Sequence, residues 1–228
     1  MPAEPTTDAL GAESARSGER CGGGPWAGCH LSSFASHHAP TVVSWVRSED
    51  ELTWLAPGTA PPLTVEKVIS WGHERRRRYL LRHSSREAPL GYAELNDMPG
   101  HHGQMWVGHF IVDPAERGKS WGTAFIQALV ARAFVEFAVS DVFLLVFPKN
   151  VAAVRCYERG GMTSQGTERK YFEATRRWHD FIRMGIHRSR FNRLASSGRI
   201  LATPLPYRRA QAAAEPVSGI GILIAVPD

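Results

Sequence analysis

Arg117, Gly118, Lys119, Ser120 and Gly122 lie within IVDPAERGKSWGTAF, residues 111–125, where a β-branched strand end passes a proline and a basic turn and enters an apolar helix. Residue types in that order suit anion binding, because the first N–H groups of a helix have no intrahelical acceptor and point toward negative charge. Gly118-Lys119-Ser120 matches the closing triplet of a loop that wraps nucleoside triphosphates. That loop also needs a glycine at position 113, where this chain has Asp113, a carboxylate that would repel the phosphates. Gly118 and Gly122 do not fit the dinucleotide fingerprint G-x-G-x-x-G either. What survives is a glycine-containing turn that aims backbone donors at an anion of another kind.

The elements that must position this loop are legible from periodicity. QMWVGHFIVDP reads as a strand ended by Pro114, and the chain from Trp121 to about Val139 reads as one helix, apolar over a wide arc and therefore mostly buried. DVFLLVF is a continuous apolar run of the kind covered on both faces, which argues for a central, parallel strand. Strand, helix and strand form a right-handed βαβ unit. A second helix, about Val151 to Arg159, ends at Gly160-Gly161, and two further strands are expected around Met162 to Gln165 and in HDFIRMGI. Upstream, TVVSWV alternates like a short strand, Ser48 and Glu51 form a capping box, Thr64 starts a second short helix, and YLLRH and PLGYAEL are strands.

Composition bounds the setting. A chain of 228 residues accommodates one domain with tails. Residues 1–39 are rich in Gly, Ser, Ala and Pro and are expected to be a disordered extension, residues 40–191 the folded domain, and residues 192–228 a poorly ordered tail. The net charge of +5 favours acidic ligands without naming one. Cys21, Cys29 and Cys156 are too few for a disulfide framework, and with His30, His37 and His38 they match no zinc spacing, so no metal is expected. No stretch reaches the roughly 18 consecutive apolar residues of a membrane span, and the N-terminus lacks the regions of a secretory signal. A cytoplasmic protein without a membrane partner is the reading. Arg75 to Arg78 would interest a nucleic-acid hypothesis, but a solvated strand entry accounts for them, and nucleic acid is not the expected partner.

VDPAERGKSWGTA followed by NVAAVRCYERGGM resembles the GNAT superfamily of N-acetyltransferases, whose loop reads R/Q-x-x-G-x-G/A and whose next helix reads N-x-x-A-x-x-x-Y-x-x-x-G-F. Arg117, Gly122, Asn150, Ala153, Tyr157 and Gly161 fall on the pattern, and the likeness runs from about Thr41 to Ile186. Ser120 stands where a first loop glycine is usual, and Met162 where Phe is frequent. The resemblance implies a mixed α/β fold: a central mixed, mostly antiparallel sheet with a splayed parallel strand pair and flanking helices. It also implies an acyltransferase that uses acetyl-CoA as cosubstrate and a primary amine as acceptor, acting as a monomer or homodimer. The pyrophosphate would meet the N–H groups of Gly118, Lys119, Ser120, Trp121, Gly122 and Thr123, with Arg117 beside them. The pantetheine arm would pair with Phe110, Ile111 and Val112 and meet Asn150 and Ala153.

The resemblance gives Tyr157 the proton for the departing thiolate, a sensible match because a phenol near pKa 10 can protonate a thiolate of pKa about 8.5. Cys156 suggests a rival acyl-enzyme route, but adjacent helix positions point about 100° apart, so Tyr157 and Cys156 do not face one centre and direct transfer is favoured. At the positions where family members often carry a glutamate base this chain has Trp106 and Leu145, which leaves Glu94, His109 and the pair His101-His102. An acyl-CoA-binding module without turnover and a basic RNA-associated protein are the alternative readings.

Overall fold

In the computed structural model, residues 26–72 and 76–209 are described. Eight strands form a single sheet in the order β6-β7-β5-β4-β3-β2-β1-β8: β1 (Cys29–Ser33), β2 (Arg76–His83), β3 (Gly91–Asp97), β4 (Gln104–Val112), β5 (Asp141–Val146), β6 (Thr163–Phe172), β7 (Arg177–His187) and β8 (Tyr207–Arg208). Neighbours are antiparallel except for the parallel pairs β4–β5 and β1–β8. This is the mixed sheet expected from the sequence.

Helices α1 (Ala39–Ser44), α2 (Glu49–Leu55) and α3 (Val65–Ser70) cover one face. There Val42, Leu52 and Val68 pack with Leu80, Tyr92 and Ile111 of the sheet. Ser48 Oγ accepts from Glu51 N, and Thr64 Oγ1 from Lys67 N, so both helix starts are capped where the sequence marks them. The opposite face carries α4 (Trp121–Glu136), α5 (Val151–Arg159) and α6 (Arg188–Ser196). Every residue of α4 from Thr123 to Phe134 is buried, which is why its sequence is apolar nearly all round. Gly161, at φ 94, supplies the left-handed residue that ends α5.

Three expectations are corrected. TVVSWV belongs to helix α1 and its exit rather than to a strand, because Pro40 near the helix start presets the backbone and Val42 finds the core at helical spacing. Order begins well before residue 40: β1 pairs along its whole length with β2, and Leu31 is fully buried against Leu81. It also continues past residue 191. Arg188 donates from Nε and Nη2 to the Val139 carbonyl at 2.9 and 2.6 Å and from Nη2 to the Phe134 carbonyl at 2.8 Å, so the basic segment caps the end of α4. Phe191, Ile200 and Leu205 are buried beyond it. The extension up to residue 25, including Cys21, and the segment from residue 210, including the apolar stretch near the end, lie outside the described residues.

The strand entry at Arg76 to Arg78 is also not merely solvated; Arg75 lies outside the described residues. Arg78 donates to the Tyr92 hydroxyl and to the Val68 and Ile69 carbonyls and lies over the Phe34 ring at 3.8 Å, which ties α3 to the sheet. Arg77 pairs with Asp97 at 2.9 Å on the other face.

Because β1 contributes a fully buried leucine, Leu31→Ala should destabilise the chain by about 2–5 kcal/mol. Urea denaturation is the check, and removal of residues 1–33 should cost more than the point substitution.

Candidate active site

Strands β4 and β5 pair only where Gln104–Trp106 meets Asp141–Phe143. Beyond that they part, so the later half of β4 keeps its ladder to β3 but presents an unpaired edge toward β5. An edge of this kind has the backbone donors and acceptors to pair with an extended chain. The β3–β4 register slips between Tyr92 and Glu94, leaving His109 and Phe110 opposite Ala93. This bulge puts His109 at φ 42. Phe110 then packs against Phe125 and meets Tyr157 edge-on, with ring centroids 5.2 and 5.5 Å apart respectively. Ile111 is buried among the α1–α3 helices and Val112 is half-buried, so Ile111 contributes backbone rather than side chain to the edge.

The loop after β4 is braced by protein carboxylates. Asp113 accepts from Ala115 N at 2.9 Å and shapes the turn Pro114–Glu116. The buried carboxylate of Glu116 takes hydrogen bonds from Arg86 at 2.6 Å, Lys119 Nζ at 3.1 Å and the Trp121 indole N–H at 3.2 Å. Arg86 and Lys119 hold the Glu116 carboxyl below its ordinary pKa. Arg117 donates to the Val112 carbonyl at 3.2 Å and pairs with Glu51 of α2. The side chains of Arg117, Lys119 and Trp121 each have a partner within the protein.

Gly118 at φ 81 and Ser120 at φ 65 are both left-handed, and Ser120 makes no side-chain cap. The serine therefore carries the left-handed cost of roughly 1–2 kcal/mol that a negative φ would have removed. Helix α4 starts immediately after it, leaving the N–H groups of Trp121, Gly122 and Thr123 without intrahelical acceptors. Gly122 has an additional packing role: a Cβ there would lie 2.9 Å from Cys156 Sγ and 3.6 Å from Val112 Cγ2. Its glycine lets α4 approach α5 and β4. Any side chain at this position would require Cys156 to shift.

On α5, Asn150 Oδ1 caps Ala153 N at 3.2 Å, which leaves its amide nitrogen free, and Ala153 is half-buried against the core. The Tyr157 side chain is buried, and its hydroxyl has no hydrogen-bond partner among the described residues. Burial, with Cys156 adding to it, pushes its pKa far upward, so the phenol stays protonated but is a weaker acid than the free phenol near pKa 10 that the sequence reading matched to a thiolate. Cys156 faces α4 instead, with Sγ 4.0 Å from Thr123 Oγ1, and burial raises its pKa as well.

The other face holds the remaining candidates. Glu94 has no solvent exposure. Its Oε1 accepts from the Tyr92 hydroxyl at 2.7 Å and lies 2.9 Å from His109 Nδ1, while Oε2 is 3.5 Å from Arg76 Nη1. Burial pushes the Glu94 carboxyl up, but His109, Tyr92 and Arg76 together outweigh it and the net shift is downward. The His109 ring stacks on Trp71 at 4.1 Å. Two residues along β3, the buried Asn96 amide has neither of its polar atoms paired among the described residues, and Gly108 leaves room for the Trp106 indole beside it. His101 and His102 sit in an exposed turn away from this cluster. Sequence reasoning named Glu94 and His109 separately. The signal that joins them, a strand bulge, has no local signature in residue types.

The sequence profile of the acetyltransferase (GNAT) family matches residues 42–162, more than half of the chain. The chain belongs to that family. Among curated proteins it is 28% identical over 113 residues to aminoglycoside N(6')-acetyltransferase type 1 of Serratia marcescens, covering 40% of this chain and 56% of that one. It is 27% identical over 70 residues to spermine/spermidine N(1)-acetyltransferase of Bacillus subtilis, covering 31% and 46%. The matched segment thus spans about half the length of these relatives. Of solved structures, spermidine N-acetyltransferase from Vibrio cholerae in complex with CoA and spermine aligns with a TM-score of 0.60 at 18% identity, covering 72% of this chain and 97% of that one. AAC(6')-Ib in complex with an aminoglycoside and acetyl-CoA aligns at 0.58 and 22%, covering 72% and 96%. At these identities the structural likeness is one of fold.

Ser120→Gly should leave the fold intact and raise stability by up to about 1 kcal/mol, the left-handed cost less the extra chain entropy of glycine. Ser120→Val should lower it, because a β-branched residue tolerates that backbone least. Thermal melts of the two variants beside the parent chain read the difference.

Proposed function

We propose that this chain transfers an acetyl group from acetyl-CoA to a primary amine of a small molecule or protein by direct attack within a ternary complex. The observation that carries the reading is the unpaired edge of β4, which has the backbone donors of the α4 N-terminus at one end and the Tyr157 ring against Phe110 on its flank. An extended amide-bearing arm fits the strand edge, and a pyrophosphate fits the helix start, where the dipole adds about 0.3–1 kcal/mol. The family match and the CoA-bound proteins of the same fold support acetyl-CoA as the donor.

In the reaction the neutral amine attacks the thioester carbonyl carbon, and the carbon–nitrogen bond forms as charge builds on the carbonyl oxygen. A backbone N–H at the bulged edge of β4 is the donor suited to that oxyanion. As the carbon–sulfur bond breaks, the sulfur takes the proton of the Tyr157 hydroxyl, and the proton shed by nitrogen restores the phenol. Glu94 and His109 are the titratable groups on the acceptor face. Their presence supports turnover over the module that only binds CoA, a reading that rested on Trp106 and Leu145 standing where glutamates are frequent. The intramolecular engagements of Arg76, Arg77 and Arg78 remove the main ground for an RNA partner. Aminoglycosides and polyamines, the amines named for its relatives, are the first acceptors to assay.

Tyr157→Phe should lower turnover by about 10²–10⁴-fold with little change in acetyl-CoA affinity or melting temperature. Cys156→Ser should turn over almost normally, because the Cys156 thiol is half-buried, has its pKa raised by desolvation and is turned toward α4. Steady-state rates with spermine or kanamycin, together with calorimetric binding of acetyl-CoA, decide the matter. A dead but folded Cys156→Ser that still binds acetyl-CoA would direct the search to an acyl-cysteine.

A further inference from the structure

Glu94 is sealed from solvent, so it cannot touch an acceptor; His109 can. The β4 bulge rotates His109 so that Nδ1 lies 2.9 Å from Glu94 Oε1, and the ring is clamped flat on Trp71, 4.1 Å away and inclined by 14°. The Nδ1–Oε1 approach is a close ionic contact rather than an aligned hydrogen bond, since Nδ1 has no hydrogen-bond partner among the described residues. The His109 side chain is 15% exposed, which leaves Nε2 as the ring nitrogen that can be reached. Resting on the acetyl-transfer reading above, we infer that Glu94 and His109 work as a carboxylate–imidazole dyad in which His109 Nε2 is the general base and Glu94 is its positioning residue.

The chemistry of each neighbour fits these roles. The Tyr92 hydroxyl donates to the same oxygen that faces His109, which fixes the carboxylate's orientation. Arg76 approaches only the far oxygen, at 3.5 Å, and its Nη1 also donates to the Trp71 carbonyl at 2.7 Å. Arg78, the other cation on this face, is spent on Tyr92, Val68 and Ile69. From β3, β2 and the end of α3, then, the groups facing His109 are one carboxylate, its tyrosine clamp, an arginine shared between that carboxylate and the Trp71 carbonyl, a second arginine engaged elsewhere, and an apolar ring. The near charge on the imidazole is negative, the sign that complements positive charge developing on the ring as Nε2 takes a proton. A cationic amine reaching Nε2 gives up one proton, leaving R–NH₂ to attack and imidazolium to be held by Glu94. That proton goes to solvent after the amide product departs, while the second nitrogen proton replaces the one Tyr157 lends to sulfur.

The left-handed backbone at residue 109 dictates the variant. Asparagine tolerates that conformation and carries no titratable group, so His109→Asn preserves the bulge while removing the base. With acetyl-CoA and either spermine or kanamycin, His109→Asn should lose about 10²-fold or more in kcat with acetyl-CoA affinity unchanged by calorimetry. Glu94→Gln keeps the shape and removes the charge. It should shift the acid limb of the kcat/KM profile to lower pH and move the imidazole titration, followed by ¹⁵N NMR of the full chain, in the same direction.

Normal turnover in His109→Asn, or an acid limb and an imidazole titration both unmoved in Glu94→Gln, overturns the dyad. If the parent chain acetylates neither amine, the acetyl-transfer reading fails for those acceptors while the NMR titration still judges the coupling. A His109 midpoint that falls in Glu94→Gln upholds the pairing, and an unmoved one refutes it.

Discussion

The parting of β4 from β5 is the constraint on which the rest of the molecule depends. Two parallel strands that pair over three residues and then diverge leave backbone donors and acceptors uncovered in the middle of a sheet, a cost that a folded chain ordinarily avoids. The divergence persists because both sides are wedged. Phe110 is held between Phe125 of α4 and Tyr157 of α5, and β4 is bulged against β3 so that its ladder on that side survives the change of direction. The divergence is thus built into the core, on the side of the sheet that carries α4 and α5.

The two faces of the sheet divide the labour. One packs α4, α5 and α6 over a continuous apolar layer and supplies rigidity to the loop and to Tyr157. The other, under α1 to α3, mixes Leu80 and Tyr92 with Glu94, Asn96 and the arginines of β2. Burying a carboxylate without partners would be prohibitive. Tyr92, His109 and Arg76 together reverse that penalty, as the downward shift of the Glu94 carboxyl records. The polar groups retained there are therefore organised around one anion.

The loop between β4 and α4 is braced from within the protein. Glu116 gathers Arg86, Lys119 and Trp121, and Glu51 holds Arg117 from α2. With the side chains so occupied, the two left-handed residues Gly118 and Ser120 turn the chain into α4. The pair Glu51–Arg117 also joins the loop to the helices of the opposite face.

What the sequence determined by itself is what short-range physics controls. Ser48, Thr64 and Asn150 announce their helices because a cap needs only the next three residues, and Gly161 ends α5 because its own φ demands it. The apolar runs of α4 and β5 declare their burial through composition alone. Tertiary structure decided everything whose cause lies far along the chain. Leu31 finds Leu81 across the sheet and makes a strand of a segment that reads as a loose extension. Gly122 is needed for Cys156, and Arg188 for the carbonyls ending α4. His109 meets Glu94 only because one extra residue in β4 turns it to that face, and an alternation of residue types cannot register such a slip until the partner strand is in place.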